Sequence, residues 1–185
     1  MPLTFGGGIK TVTDAVNRIR AGADKITINS LLFTDLNVVK KIISEIGSQA
    51  VVASIDYKEI NNKLKIFKHF GQEETNLNLI DFIKKIEDLG VGEFFIQNIK
   101  LDGMQKGFDI NNIKKVVKSV NIPVVACSGA GSLEHFLEVV KIKGLSAIAA
   151  GNYFNYKERS YPIIKKELKN FISWGDTFLL TRHHI

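Results

Sequence analysis

Residues 122–131 read Ile-Pro-Val-Val-Ala-Cys-Ser-Gly-Ala-Gly, a short apolar run that passes directly into a glycine-rich turn. The amphipathic residues 133–141 follow and predict a helix, because their apolar side chains recur at helical spacing. The same order occurs six times, with strands predicted at 2–5, 25–29, 50–56, 92–98, 122–126 and 146–150. The helices are predicted at 13–20, 37–46, 78–90, 111–120, 133–141 and 163–171. Six βα units of this kind predict an α/β fold with a parallel sheet covered by helices.

Residues 57–76 interrupt this alternation, because they are rich in Lys, Asn and Glu. We interpret them as an insertion that contains a small hairpin at 60–67. No Gly-x-Gly-x-x-Gly sequence opens a helix anywhere in the chain, which disfavours a dinucleotide site.

The turn at 128–131 has a counterpart 121 residues earlier, in Gly6-Gly7-Gly8. At this offset Pro2 aligns with Pro123 and Gly8 with Gly129, without a gap across two strands and the helix between them. Two repeats of this length approach the roughly 250 residues of a (β/α)8 TIM barrel. The first repeat lacks the two βα units that precede Pro123 in the second. We therefore predict an incomplete barrel, strands three to eight without the first two βα units; an open six-stranded sheet is the alternative.

The barrel domain is expected to span residues 1–172, with a C-terminal tail at 173–185. Lys and Arg number 25 against 19 Asp and Glu, a net charge of +6 that is compatible with an anionic substrate. The charges form no long block and no nucleic-acid-binding signature occurs, so no nucleic-acid partner is expected. The chain has neither a membrane-length apolar run nor a signal-peptide pattern, which predicts a cytoplasmic protein without membrane contact.

The carboxyl ends of the strands are where a barrel carries its site. Asp56 ends a very apolar strand and could act as a general acid or base; a helix N-cap or an ion pair with Lys58 is the alternative. Glycine-rich turns after the last two strands can hold a phosphate through backbone N–H groups. The repeat places a second such turn across the barrel, which predicts a substrate phosphorylated at both ends. Tight βα turns without a ligand are the alternative.

Other polar residues have simpler interpretations. Asp24, Lys25 and Glu93 lie at the beginnings of predicted strands, which places them at the opposite face of the barrel. Charges there usually serve stability, but they could instead gate an axial opening. Cys127, the single cysteine, is read as a small buried residue. His69, His135 and the terminal His183-His184 suggest no ligand set, and neither a metal nor a cofactor is expected.

Five segments, taken in order, resemble the family of cyclase subunits of imidazole glycerol phosphate synthase, from histidine biosynthesis. These are residues 2–9, 21–30, 47–56, 102–109 and 122–136. The resemblance implies a (β/α)8 barrel that receives ammonia from a glutaminase partner in a heterodimer. It also implies a lyase that converts a bis-phosphorylated ribulosyl aminoimidazole carboxamide into imidazole glycerol phosphate and aminoimidazole carboxamide ribotide.

The resemblance carries roles to individual residues. It implies that Asp56 is a catalytic acid. One phosphate site is implied at Gly8, Asn29 and Ser30, and the other at Asp102, Gly103, Gly129, Ala150 and Gly151. Lys25 and Glu93 match members of a charged ammonia gate, and Asp24 matches a partner-facing position.

The chain also departs from the family pattern. The second catalytic aspartate belongs to the first strand, which is not found here, so this chain alone is expected to be inactive. Lys100, Leu101, Met104, Cys127 and Gly151 replace residues that the family prefers. These differences resemble paralogues that deliver ammonia for amidino sugars of surface polysaccharides. A non-catalytic barrel that only binds a glutaminase is a third hypothesis, and a related sugar-phosphate isomerase a weaker fourth.

Overall fold

The computed structural model describes residues 2–68, 71–156 and 160–169. The chain divides into two compact units, residues 1–95 and 96–185. Strand β6 begins in the first unit and ends in the second.

Parallel strands form the centre of the first unit, in the order β1-β2-β3-β6. Their bounds are β1 Thr4–Gly6, β2 Lys25–Ile28, β3 Val51–Ile60 and β6 Glu93–Asn98. The helices are α1 Val12–Arg20, α2 Leu31–Thr34, α3 Leu36–Ile46 and α4 Leu79–Asp88. Ile26 and Ile28 of β2 are buried, whereas Lys25 and Thr27, which alternate with them, are half-buried. One face of the sheet is therefore apolar core and the other carries the polar side chains.

Local signals in the sequence explain where these helices begin and end. Thr11 and Asp14 form a reciprocal capping box at α1, Asp35 caps α3 and Asn78 caps α4. Gly47 takes a φ of 85° directly after α3, a conformation that favours glycine, and so ends that helix.

The insertion is larger and more regular than the predicted hairpin at 60–67. Strand β3 continues to Ile60 and pairs antiparallel with β4, Lys63–Lys68, which in turn pairs with β5, Glu73–Asn78. Asn61 and Asn62 connect β3 to β4 with φ values of 49° and 59°, as in the left-handed turns that suit two-residue hairpin loops. The prediction was wrong about the strand bounds because it ended β3 at Asp56, where the antiparallel pairing with β4 begins.

In the second unit the strand order is β6-β7-β8. Strand β7 is Val124–Cys127 and β8 is Ala147–Ala149, and the two are parallel. The helices are α5 Ile110–Val117, α6 Leu133–Val139, α7 Asn152–Tyr156 and α8 Ser160–Leu168. Phe136 of α6 contacts the rings of Phe108, Tyr153 and Phe154, which joins the start of α5, α6 and α7 in one aromatic core.

The 121-residue repeat extends further in the structure than in the sequence. Strands β1 and β2 correspond to β7 and β8, and helix α1, which begins at residue 12, corresponds to α6, which begins at residue 133. Even the short helices α2 and α7, which the sequence did not predict, begin 121 residues apart, at Leu31 and Asn152.

The alternation of six parallel strands with helices is confirmed, and Cys127 is buried as predicted. The last described helix is Ser160–Leu168, so it begins before the predicted residue 163; residues 170 and 171 of that prediction lie outside the described residues. His69, His183, His184 and the tail at 173–185 lie outside the described residues.

Candidate functional site

Three strand ends of the first unit present polar groups on the same face of the sheet. Parallel register aligns Gly6 with Thr27 and Thr27 with Val52. Two residues further along, the side-chain amide of Asn29 donates to the carbonyl of Ser54 at 3.0 Å. Asp56 lies two residues after Ser54 and therefore on that face, half-buried, where β3 begins to pair with β4.

The turn after β1 leaves open space beside these strand ends. Gly7 and Gly8 have φ values of 96° and 71°, and nothing lies within 4 Å of a Cβ built at either residue. A Cβ at Gly6 would instead overlap the methyl group of Thr27. Gly6 thus permits the close approach of β1 and β2, while Gly7 and Gly8 turn the chain and leave room for a ligand.

Ser30 follows Asn29 at the start of α2. It is exposed, and its hydroxyl makes no hydrogen bond that caps the helix. Its carbonyl accepts from the amide of Phe33 at 3.1 Å and from the hydroxyl of Thr34 at 3.3 Å. These bonds fix the backbone of the turn through the Ser30 carbonyl, and they do not use the Ser30 hydroxyl.

The opposite ends of the strands carry the three predicted gate and partner residues. The Lys25 ammonium lies 2.5 Å from the Glu93 carboxylate, so the structure brings this predicted pair together. Asp24 is exposed, and its carboxylate accepts the amide of Leu3 at 2.6 Å. Asp24 therefore fixes the start of β1 at the N-terminal ends of the strands.

In the second unit, the loop after β6 lies beside the start of α7. Asp102 accepts a long bond, 3.4 Å, from the side-chain amide of Gln97 and is exposed. Gly103 has a φ of 70°, and a Cβ there would lie 3.6 Å from the side-chain nitrogen of Asn152. Because Ala150 and Gly151 directly precede Asn152, four of the five residues predicted for the second phosphate site lie in this neighbourhood.

Gly129, the fifth residue, is held against the same loop. It has a φ of 94°, its carbonyl accepts the amide of Gly107 at 2.8 Å, and a Cβ at Gly129 would overlap the Gly107 carbonyl. The amide of Gly131 donates to Nδ1 of His135 at 3.1 Å, which fixes the start of α6. The glycine at 129 is therefore required by both backbone conformation and close packing.

Sequence reasoning missed two features of this region. Ser128 has a φ of 84°, is 5% exposed, and its hydroxyl has no hydrogen-bond partner among the described residues. Asp109, which also caps α5, receives the side-chain amides of Asn98 and Asn112. The repeat offered a signal for Ser128, because it aligns this serine with Gly7.

Charge and ionisation distinguish the two units. Residues 1–95 contain twelve Lys and Arg and twelve Asp and Glu, whereas residues 96–185 contain thirteen and seven. The net positive charge of the chain thus belongs to the second unit. Burial, with a smaller contribution from Glu134, raises the pKa of the Tyr153 phenol above its ordinary value, so this side chain stays protonated at neutral pH.

Among residues 2–68, 71–156 and 160–169, no three His, Cys, Asp or Glu side chains cluster in a way that could hold a metal ion. None of the helices described combines the length and apolar character needed to cross a membrane.

Comparison with known proteins identifies the family. The family described as "Histidine biosynthesis protein" matches residues 1–160. The chain is 43% identical over 175 residues to the imidazole glycerol phosphate synthase subunit HisF of Saccharolobus solfataricus, covering 94% of this chain and 67% of the relative. It is 41% identical to the HisF subunit of Pyrococcus furiosus, covering 94% and 67%. For HisF of Clostridium botulinum the identity is 40%, covering 91% and 68%. The chain therefore belongs to the histidine biosynthesis protein family, together with these HisF subunits.

Proposed function

We propose that this chain performs the reaction of its HisF relatives, the ammonia-dependent cyclase step of imidazole glycerol phosphate synthase in histidine biosynthesis. The observation that carries the proposal is the pair of turns at Gly7-Gly8 and Ser128-Gly129. Both follow a parallel strand, both have positive φ values, and the repeat relates them. Two equivalent turns suit a substrate with a phosphate at each end.

Each turn has neighbours that can complete a phosphate site. Gly8, Asn29 and Ser30 would hold one phosphate, with the open space beside Gly8 as its place. Asp102, Gly103, Gly129, Ala150 and Gly151 would form the other site, in the unit that carries the net positive charge. Backbone N–H groups and hydroxyls bind phosphate oxygens, and surrounding positive charge raises the local concentration of an anion.

Asp56 is the residue that we assign to acid–base chemistry. It is half-buried within β3, at the point where this strand begins to pair with β4, on the face that also carries Asn29. A carboxylate in this position can donate a proton to the departing group or accept one during ring closure, which typically contributes about 10²–10⁴-fold to a rate.

The charged pair at the other end of the strands suits an ammonia entrance. Lys25 and Glu93 neutralise each other at 2.5 Å, so two charges can stand at this end of the strands without either being left uncompensated. Asp24 is exposed near this pair and would contact a glutaminase partner. We further propose that β1, β2, β3, β6, β7 and β8 are strands three to eight of a (β/α)8 barrel, and that the protein is cytoplasmic.

Substrate binding followed by turnover tests this proposal. The chain is titrated calorimetrically with the bis-phosphorylated ribulosyl intermediate and is then assayed with ammonium salt for imidazole glycerol phosphate. Turnover is expected when a segment that supplies strands one and two, and with them the second catalytic aspartate that the resemblance implies, is added to the assay; the chain by itself is expected to bind without turnover. Absence of turnover with that segment present would favour a non-catalytic barrel, and absence of binding would contradict both phosphate sites.

Asp56→Asn should lower any turnover by about 10²-fold or more without changing the affinity for substrate. Glu59→Gln is the matched control, because Glu59 is an exposed carboxylate on the same strand. Retained turnover in Asp56→Asn would remove Asp56 from the mechanism.

A second candidate is an ammonia-channelling subunit for amidino-sugar synthesis. The observation in its favour is the loop after β6, where Met104 is a 50% exposed hydrophobic side chain beside Gly103. An apolar group here would suit a substrate other than the histidine intermediate. Failure to bind that intermediate, combined with binding of a phosphorylated sugar, would support this candidate.

A further inference from the structure

A partly buried polar cluster joins the two ends of the loop between β6 and α5. It consists of Asn98, Asp109, Asn112 and Lys115 and is called the Asp109 cluster here. Asn98 is 6% and Asn112 is 3% exposed, which makes them two of the four buried polar residues among those described. Because buried polar groups are costly unless they are satisfied, such a cluster requires a structural or functional reason.

The hydrogen bonds of the cluster run in one continuous series. The carboxylate oxygen Oδ2 of Asp109 accepts Nδ2 of Asn98 at 2.7 Å and Nδ2 of Asn112 at 3.0 Å. Oδ1 of Asn98 accepts the amide of Lys100 at 3.0 Å, and Oδ1 of Asn112 accepts the ammonium of Lys115 at 2.9 Å. The carboxylate of Asp109, the residue before α5, thus ties the start of that helix to Asn98, the last residue of β6.

The loop enclosed by this carboxylate carries Asp102 and Gly103. Its later part packs on the turn after β7, since Gly107 donates to Gly129 and a Cβ at Gly131 would lie 2.6 Å from the carbonyl of Gln105. A movement of the loop ends would therefore displace both halves of the second phosphate site, the Asp102-Gly103 turn and the Gly129 turn.

Helix capping alone does not explain this arrangement. As N-cap of α5, Asp109 needs only to accept the amide of Asn112, which it does through Oδ1 at 3.4 Å. Serine and asparagine cap helices about as well as aspartate. Aspartate has a second carboxylate oxygen, which here accepts two side-chain amides, whereas serine has a single oxygen. The contact with Asn98 is therefore additional to the helix cap.

We propose that Asp109 is a positioning residue for the second phosphate site, acting through Asn98 to hold the loop in the shape that receives a phosphate monoester. This inference rests on the proposed function, because it presupposes that Gly103 and Gly129 bind phosphate. Asp109 itself does not contact the substrate in this proposal. Its effect is to reduce the number of loop conformations before the phosphate arrives, which lowers the entropic cost of binding.

The decisive variant is Asp109→Ser, which retains a helix cap and removes the link to Asn98. Phosphate binding is followed from the backbone amide resonances of Gly103 and Gly129 during titration of the full chain with inorganic phosphate. Loss of about one hydrogen bond's contribution should weaken binding at these residues roughly tenfold. The resonance of Gly8, in the other unit, should titrate as in the wild type.

Two further variants separate positioning from general destabilisation. Asp35→Ser is the matched control, because Asp35 also caps a helix, α3, through the amides of Asn37 and Val38. It should leave phosphate binding at Gly103 and Gly129 unchanged. The double variant Asn98→Asp/Asp109→Asn re-creates an amide–carboxylate bond in the reverse direction and should restore binding to within about threefold.

The outcomes are distinguishable. If the wild type titrates at Gly103 and Gly129 and Asp109→Ser titrates equally well, the positioning role is wrong and the proposed function stands. If the wild type shows no response at either residue, the phosphate site itself fails, and this inference fails with it. Should Asp109→Ser unfold, the reversed pair decides, because its failure to bind while folded would overturn the proposal.

Discussion

Gly7 and Ser128, which lie 121 residues apart at equivalent positions of the repeat, both have a left-handed backbone, with φ values of 96° and 84°. Glycine adopts this conformation without strain, whereas serine pays for it through its Cβ, at a cost of roughly 1–2 kcal/mol. The serine also carries a buried hydroxyl that has no partner among the described residues. The turn at Ser128 therefore has a less favourable folding free energy than the turn at Gly7.

Replacing Ser128 with glycine should consequently stabilise the protein. The change relieves the strain and removes the unsatisfied hydroxyl, and these gains should exceed the roughly 0.5–1 kcal/mol that glycine loses through unfolded-chain entropy. We expect an increase of about 1 kcal/mol in the free energy of unfolding, measured by urea denaturation. Ser128→Ala, which keeps the strained Cβ, should gain less, and a Ser128→Gly protein that is less stable than Ser128→Ala would contradict this account.

Gly8 and Gly129 offer a matched pair for the packing of the two turns. They occupy equivalent positions and share a positive φ, but a Cβ is unobstructed at Gly8 and overlaps the Gly107 carbonyl at Gly129. Gly8→Ala should cost about 1–2 kcal/mol from strain alone, and Gly129→Ala about 1–3 kcal/mol more from overpacking. Equal losses of unfolding free energy in the two variants, measured with urea, would show that the loop around Gly107 shifts to accommodate the added methyl group.

The sequence predicted the larger elements of the fold because they carry periodic signals. Six apolar runs and the helices that follow them were recognised, and the aligned turns at Gly8 and Gly129 revealed the repeat. The four-residue helix Leu31–Thr34 and the five-residue Asn152–Tyr156 were missed, since such short helices complete too few turns for a pattern. The repeat relates them in the structure, where they begin 121 residues apart, but in the sequence it did not reveal them.

Only part of the candidate sites could be predicted from the sequence. Residues at strand ends, such as Asp56 and Asn29, could be assigned because parallel strands bring their carboxyl ends to one edge of a sheet. The Asp109 cluster could not, because nothing in the sequence relates Asn98 to a residue eleven positions away across an irregular loop. Likewise, the Ser128 hydroxyl lacks a partner among the described residues because of its surroundings, which the sequence does not reveal; the repeat signals only the backbone conformation at this position.

The ion pair between Lys25 and Glu93 should show measurable coupling in a double-mutant cycle. Their side chains are 32% and 18% exposed, whereas in the Lys68–Glu73 pair the exposures are 29% and 54%. Because solvent screens exposed pairs, we expect a coupling energy of about 0.5–1 kcal/mol for the first pair and near zero for the second. Lys25→Met, Glu93→Gln and their combination, compared by urea unfolding, measure it. Greater coupling in the Lys68–Glu73 control would contradict the ranking.

The capping box of α1 predicts a pH-dependent contribution to stability. Hydrogen bonds hold the pKa of Asp14 below its ordinary value of 3.8, the first being the amide of Lys10 at 3.0 Å and the others coming from Thr11. A carboxyl whose pKa is lower in the folded state stabilises the protein above the unfolded pKa, and this contribution disappears as the pH falls through the folded value. The difference in stability between wild type and Asp14→Asn should therefore be present at neutral pH and should shrink in acid, below about pH 4.

Urea unfolding at neutral pH and at about pH 3 measures this difference. Thr11→Ala is the control, because it removes the hydroxyl that accepts the amide of Asp14 and leaves the carboxylate in place. It should lower stability at both pH values because the cap itself does not titrate, and by more at neutral pH, because the Thr11 side chain also helps to hold the pKa of Asp14 down. An Asp14→Asn difference that stays constant between the two pH values would mean that the carboxylate's charge does not contribute, and that the capping box acts through neutral hydrogen bonding alone.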